Sequence, residues 1–437
     1  MRRVALITAP WREPVWALAP FRDEAYACAL VTGGSGRWSY LLRQPDQTFD
    51  VAADLFTALT DLLGPREPTN SEGPPFQGGV VGLASYELGD RVEALDLPRT
   101  AWPDLICARY PALLAFDHHA RQVVAVGRGE TDVEAQGRAR DALAWLDVSA
   151  DQAPFEGPLC ADLTASDGEA YEAAVADVVS RILAGEIFQA NIARAWTGRL
   201  AAGADPFDLF TRLRGQSPAP FSAYLRLPGR AVVSNSPERF LKVDAAGAIL
   251  TQPIKGTRPR GRDAVEDRAL AAELLASDKD RAENLMIVDL MRNDLARVSP
   301  PGSVRAPELF KVESFANVHH LVSTVTGQLA SGRTVADLLR ASFPPGSITG
   351  APKVQAMKVI TGLEPPRGPY CGSLFWAGFD GAFDSSVLIR TVGLVQDGQG
   401  WTLEARAGAG IVADSDPHGE RLETEAKIAA LKRALTE

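Results

Sequence analysis

The stretch Pro253-Ile254-Lys255-Gly256-Thr257-Arg258-Pro259-Arg260-Gly261 sets one primary amine among two prolines, two glycines and two arginines. Proline fixes φ and glycine admits positive φ, so the segment reads as a loop held on an unusual path, its amides free to approach a ligand. An ordinary lysine titrates near about 10.4 and is an ammonium at neutrality, which is no nucleophile. Burial and neighbouring cations, here Arg258 and Arg260, promote loss of that proton. The plain alternative is a solvated loop lysine.

Two further segments carry acids at positions where an amphipathic helix would place apolar residues. Glu283 shares a helical face with Met286, Ile287 and Leu290. Near the C-terminus, Ser415-Asp416-Pro417 reads as a helix start, and Glu420, Glu423 and Lys427 fall in register with Leu431 and Ala434. Inward carboxylates need cations, and an oxygen-only set suits Mg²⁺, which keeps waters and bridges to anionic substrates. The spacing equally fits a surface acid pair with Lys427 as its i+4 partner. Ala407-Gly408-Ala409-Gly410-Ile411 offers consecutive unshielded amides. Ser347-Ile348-Thr349-Gly350-Ala351-Pro352-Lys353 reads as a loop entering a helix, and both could cradle carboxylates. His319 and His320 lack HExxH spacing, which favours hydrogen bonding or proton handling over metal binding, with a satisfied core histidine as the default.

These groups need a large scaffold, and the chain can supply one. It has 437 residues, 46% hydrophobic and 23% charged, which by length alone predicts two to four domains. The formal charge of -10 excludes a general basic surface for nucleic acid or anionic membrane. Met1 to Pro10 reads as a first strand rather than a signal peptide, and no apolar run is long enough to span a bilayer. Four scattered cysteines without CxxC spacing fit a reducing cytoplasm. A polar stretch, Asp147 to Asp167, divides the chain into residues 1–150, a strand-rich scaffold, and residues 165–437. The first part carries turn signals at Thr32-Gly33-Gly34-Ser35-Gly36 and at Phe76-Gln77-Gly78-Gly79, before Val80-Val81-Gly82-Leu83. The second opens on a helix, with Ser166 and Glu169 as a capping box and Tyr171, Ala174, Val175, Val178 and Ile182 in period until Gly185. Strands are expected around Phe188 to Trp196, Phe221 to Leu227 and Ala231 to Ser234. The pattern is α+β rather than βαβ alternation.

A set of blocks in the second part carries a family likeness. They are Ser236-Pro237-Glu238-Arg239-Phe240, the lysine segment, Lys279-Asp280-Arg281-Ala282-Glu283-Asn284, Val318-His319-His320-Leu321-Val322-Ser323, Phe343-Pro344-Pro345-Gly346, Ile389-Arg390-Thr391 and Gly408-Ala409-Gly410. In this order and spacing they resemble the chorismate-utilising enzymes over essentially all of residues 165–437. The first part resembles that family more loosely, through Gly36-Arg37-Trp38-Ser39 and Pro75 to Gly82. The resemblance implies an α+β fold of two packed, mostly antiparallel sheets surrounded by helices, with the site in a central cleft and the two parts intertwined in one body.

The resemblance also implies chemistry. Members that add water to chorismate carry a lysine where this chain has Gln189, so ammonia is the expected nucleophile. Among ammonia users, those forming anthranilate usually carry alanine at the position of Lys255, and those forming 4-amino-4-deoxychorismate carry lysine. By that likeness Lys255 attacks ring C2 with loss of the C4 hydroxyl, ammonia then displaces it from C4, and Glu238 is the general acid/base. Glu283, Glu420 and Glu423 match the Mg²⁺ ligands, Glu283 and Glu420 the firmer pair. Tyr370, Arg390, Lys427 and the amides near Gly408 and Gly410 match substrate-binding positions, and His320 a histidine near the C4 hydroxyl. Gly256 and Thr257 line the pocket, with Ser347 as a neighbour. None of Cys28, Cys107, Cys160 and Cys371 has a Gly-x-Cys-x-Gly setting, so a separate glutamine amidotransferase is the implied ammonia source. Pyruvate release is expected to belong to another protein. Two other readings stay open at this level: amination to anthranilate, and a non-catalytic chorismate-binding module.

Overall fold

In the computed structural model, which describes residues 3–34, 36–149, 153, 155–314 and 318–437, the expected first strand is Arg3–Pro10, paired antiparallel with Gln122–Gly129. Met1, Arg2 and Ser35 lie outside the described residues, as do Ala150 to Gln152 and Pro154 of the polar stretch. Helix Asp132–Ala144, capped by the Thr131 hydroxyl on the Glu134 amide, presses on Gln122–Gly129. A Cβ at Gly127 would lie 2.2 Å from Ala135 O, so only glycine permits that approach.

Two antiparallel sheets dominate, with twelve and ten strands among the described residues. The larger runs Arg3–Pro10, Gln122–Gly129, Ala112–Asp117, Trp38–Leu42 and Cys28–Val31. It then passes to the second part of the chain with Phe221–Leu227, Arg230–Ser236, Thr391–Asp397, Gly400–Ile411, Gln189–Arg199 and Gly350–Ala351. The join is the ladder of Ser222 to Leu225 with Val31 to Cys28. The second sheet begins with Ile254–Pro259, Val318–Gln328, Ala248–Thr251, Arg239–Val243, Phe383–Val387 and Ser373–Gly378. Gly79–Ala84, Leu105–Tyr110 and Gln47–Phe49 from the first part follow, and Arg305–Ser314, paired with Val318–Gln328, completes it. Both sheets therefore cross the sequential divide, and α+β order follows from long antiparallel ladders with helices on their outer faces.

Between the sheets lie Phe76, Val81, Leu83, Tyr110, Leu225 and Leu374, all nearly inaccessible. Strands such as Gly79–Ala84, buried at every residue, read as continuous apolar runs because both faces are covered. Local corrections are instructive. The helix Gly168–Leu183 is capped by Asp167, whose carboxylate accepts the Glu169 amide at 2.9 Å, not by Ser166. Ser166 instead accepts the Ala195 amide, tying the helix start to the edge of strand Gln189–Arg199. Gly185, at φ +79°, follows the helix as expected.

Candidate active site

Lys255 is held by a strand, which corrects the expected loop. Ile254–Pro259 pairs with Val318–Gln328, placing Lys255 opposite Leu321 and Thr257 opposite His320, with Gly256 as the extra residue of a bulge. Gly256 sits at φ +73°, and a Cβ there would meet Leu274 Cδ1 at 2.8 Å and the Asp280 carboxyl at 2.9 Å. A bulge re-aims the side chain beside it. The Lys255 side chain is 15% exposed, and its Nζ stands 4.0 Å from Glu283 Oε2.

Burial depresses the Lys255 pKa and Lys427 adds to the effect, while Glu283, Glu238 and Glu423 work against it. The cation beside the amine is therefore Lys427, not Arg258 or Arg260. Arg258 is paired with Glu273 and Asp280, and Arg260 with Asp267.

Glu238 follows strand Arg230–Ser236 in a bend closed by Ser236, whose hydroxyl accepts the Glu238 amide and donates to Val387 O. Its carboxyl is buried and accepts the Ser347 hydroxyl at 2.7 Å. Burial raises its pKa, opposed by the Ser347 hydrogen bond and by Lys255 and Lys427. Ser347 thus serves Glu238 directly. Lys353, at the end of the same segment, is not free for a ligand: it is buried against Asp294 at 2.6 Å and donates to Ser342 O.

Glu283 lies on helix Asp278–Ala296 above buried Ile287, as its spacing predicted. Burial raises its pKa against Lys255 and Lys279, and Glu423 raises it further. On helix Pro417–Thr436, Glu420 accepts the Ser415 hydroxyl at 2.6 Å, and its pKa is raised by burial and by Glu423. Glu423 departs from the inward expectation: its side chain is 51% exposed and paired with Lys427 at 2.6 Å, the i,i+4 surface arrangement. Among the described residues no group of three His, Cys, Asp or Glu side chains is arranged to hold a metal by itself. Lys279, which sequence reasoning passed over, influences both Glu283 and Glu420; its place in the Lys279-to-Asn284 block was the available signal.

Gly408 and Gly410 belong to strand Gly400–Ile411 rather than a loop. Gly410 faces Asn191, whose N–H donates instead to Thr349 O and whose carbonyl accepts from Arg367 Nη2. The Asn191–Gly410 pair is therefore not hydrogen-bonded, and Gly410, with Gly408 two residues before it, turns its N–H and C=O away from Gln189–Arg199. The ladder with Thr391–Asp397 ends at Ala405, so these groups border the site, and Gly408 O accepts Lys427 Nζ at 2.9 Å. A Cβ on Gly410 would lie 3.1 Å from both Lys255 Nζ and Gln189 Nε2. Both polar atoms of the Gln189 side chain are buried without a hydrogen-bond partner, a cost that a polar ligand would offset.

His320 meets the Thr257 hydroxyl at 3.1 Å. Burial and Arg390 lower its pKa, favouring a neutral imidazole, while a hydrogen bond to the Gly256 backbone opposes them. His319 points the other way into contacts with Ser314 and Asp267, the satisfied-core outcome. Arg390, at φ +52°, has its pKa lowered by burial and supported by Tyr370, and no carboxylate among the described residues pairs with it. Tyr370 is buried. Behind these groups, Arg367, absent from the sequence reading, is buried and donates to Asn191 O and Ile348 O. It pairs with Glu364 and stands over the Tyr86 and Tyr370 rings. Its position in Pro365-Pro366-Arg367-Gly368-Pro369, just before Tyr370, was the only sequence hint.

One region thus combines a deprotonation-prone amine, a carboxyl biased toward its acid form, an unpaired arginine and glutamates beside lysines. Such a site suits nucleophilic and acid–base chemistry on a small ligand carrying a negative charge. The chain belongs to the chorismate binding enzyme family, whose match spans residues 26–433. Aminodeoxychorismate synthase component 1 of Escherichia coli (strain K12) is 43% identical, the alignment covering 99% of this chain and 98% of the relative. Anthranilate synthase component 1 of Streptomyces coelicolor is 39% identical over 92% and 82%. The crystal structure of anthranilate synthase component I from Streptococcus pneumoniae TIGR4 superposes with a TM-score of 0.80 at 27% identity, covering 92% of this chain and 94% of that one.

Proposed function

We propose that this protein is the chorismate-aminating component of an aminodeoxychorismate synthase, forming 4-amino-4-deoxychorismate from chorismate and ammonia on a route to 4-aminobenzoate and folate. The observation that carries this is Lys255 itself, 15% exposed with its Nζ 4.0 Å from Glu283, in one electrostatic cluster with Lys427 and with buried Glu238 held by the Ser347 hydroxyl. The Lys255 lone pair attacks ring C2, both conjugated ring double bonds shift by one position (C1=C2 to C1=C6, C5=C6 to C4=C5), and the C4–O bond breaks. Glu238 gives its proton to the departing hydroxide, which leaves as water. Ammonia then attacks C4, both double bonds shift back and the C2–N bond breaks, returning Lys255 as a neutral amine. The carboxylate of Glu238 takes the surplus proton from the new C4 ammonium, so acid and nucleophile are both restored.

Arg390 and the inner-edge amides of Gly408 and Gly410 suit the enolpyruvyl carboxylate, with Tyr370 and Lys427 orienting it. His320, neutral and tied to Thr257, suits the C4 hydroxyl. Glu283 and Glu420, partly buried and raised in pKa, are an all-oxygen pair that fits Mg²⁺, with Glu423 reaching it once released from Lys427. Two carboxylates with waters suffice for this ion. Bound there, Mg²⁺ would neutralise the ring carboxylate. Ammonia would come from a glutamine amidotransferase partner, since the four cysteines are buried, free thiols. Those thiols fit a reducing cytoplasm, and no helix among the described residues is long and apolar enough to cross a membrane.

Anthranilate formation is the second reading, favoured by the similarity to Streptomyces coelicolor anthranilate synthase component 1. Incubation with chorismate, Mg²⁺ and an ammonium salt, with mass-spectrometric identification of products, separates the two. 4-Amino-4-deoxychorismate is expected, and anthranilate as main product would overturn the proposal. Lys255→Ala is expected to keep the fold and lose C4 amination; unchanged amination would remove the covalent step.

A further inference from the structure

A second cavity, about 710 Å³, opens beside helix Pro14–Leu18 and helix Pro206–Gln216, and shares no residue with the cluster around Lys255. Trp11, Trp16, Leu146 and Phe207 give it apolar walls, and Arg22 lines it as well. Arg22 is only 8% exposed, yet no acid among the described residues pairs with its guanidinium. The acids around the cavity are engaged or solvated. Glu13 accepts the Trp11 indole N–H at 3.2 Å and faces Arg121 at 3.8 Å. Asp208 accepts the Asp205 and Phe155 amides, and Asp147 is exposed at the rim.

Arg22, nine-tenths buried and lining the cavity without an acid partner among the described residues, offers a planar fork of donors that matches a carboxylate. Flat indole walls favour an aromatic body, and the volume is that of a small-molecule site. Trp16, 63% exposed, presents a face that burial of such a ring would cover. We infer that this cavity binds a small aromatic monocarboxylate, its carboxylate on Arg22 and its ring against Trp11 and Trp16.

Isothermal titration of the full-length protein with sodium benzoate tests this, with benzamide as the uncharged match. Saturable benzoate binding is expected, at least tenfold weaker for benzamide and for Arg22→Gln. Trp16→Ala, which alters a surface side chain and so preserves the fold, is expected to weaken it several-fold. Arg390→Gln, in the chorismate site, is expected to leave it unchanged. No binding to the wild-type protein, equal binding of benzamide, binding that Trp16→Ala leaves intact, or loss confined to Arg390→Gln would overturn the assignment. If Arg22→Gln does not fold, the benzamide comparison and Trp16→Ala decide.

Discussion

Replacing Glu283 by glutamine keeps its volume and removes the charge that most strongly holds Lys255 as an ammonium. At the observed 4.0 Å, a full ion pair in an effective dielectric of about 20 is worth about 4 kcal/mol. Both side chains are mostly shielded, at 15% and 18% exposure, but Lys427, Glu238 and Glu423 share the field. Halving the figure for that screening leaves about 2 kcal/mol, or roughly thirtyfold in the ratio of amine to ammonium. The sign is fixed: Glu283 raises the Lys255 pKa, so its loss lowers that pKa further and increases free amine at pH 7.5. Brief acetic anhydride labelling, followed by peptide mass spectrometry, reads this with exposed Lys432 as internal reference. Lys255 labelling in Glu283→Gln is expected to rise, with about thirtyfold as the upper bound because the free-amine fraction saturates. Lys427→Met, which removes the opposing cation, is expected to reduce it, and a change in accessibility alone could not produce both signs. Labelling that stays level or falls in Glu283→Gln would refute the electrostatic account.

Three other outcomes follow from the same geometry. Glu238, raised in pKa by burial, adds stability that is full below its unfolded pKa and is lost as pH rises through its folded one. Glu238→Gln should therefore gain in thermal stability over wild type at pH 8 relative to pH 5, while kcat falls about 10²- to 10⁴-fold. Gly410→Ala adds a methyl 3.1 Å from Lys255 Nζ without a positive φ to forbid it, so the amine must shift. Circular dichroism should match wild type while turnover drops by up to about a hundredfold. Arg367→Lys keeps the charge but cannot reach Asn191 O, Ile348 O and Glu364 together. Steady-state kinetics should show kcat lowered at least tenfold with a smaller change in KM, as expected of a positioning residue.

What could be read from residue order divides along a physical line. Periodicity found the helices carrying Glu283 and Glu420, because burying one helical face is a local constraint. The strands expected at Phe221 and Ala231 are present, and the family likeness supplied the two-sheet architecture that local patterns lack. Pairing decides the rest. Lys255 looked like a loop residue because Pro253, Gly256 and Pro259 punctuate its segment. Strand Val318–Gln328 absorbs those residues by a bulge at Gly256, and nothing local encodes a partner some sixty residues away. The same distance effect misassigned the cation. Arg258 and Arg260 adjoin Lys255 in sequence, yet these two are neutralised by Glu273, Asp280 and Asp267, while Lys427 arrives from the C-terminal helix.

The cluster therefore meets two opposing requirements with one set of charges. A neutral nucleophile needs few acids nearby, whereas a divalent ion needs several, and under the proposed function Glu283 would answer both demands. Lys427 reconciles them by position: it counters the acids near Lys255 and occupies Glu423 and the Gly408 carbonyl. Drawing Glu423 toward Mg²⁺ would free Lys427 to lean on substrate and amine, so metal loading and amine activation would strengthen together. In that arrangement, Lys427→Met weakens both functions through a single residue. Its apparent Mg²⁺ dependence should shift along with its Lys255 labelling, whereas two independent devices would move one without the other.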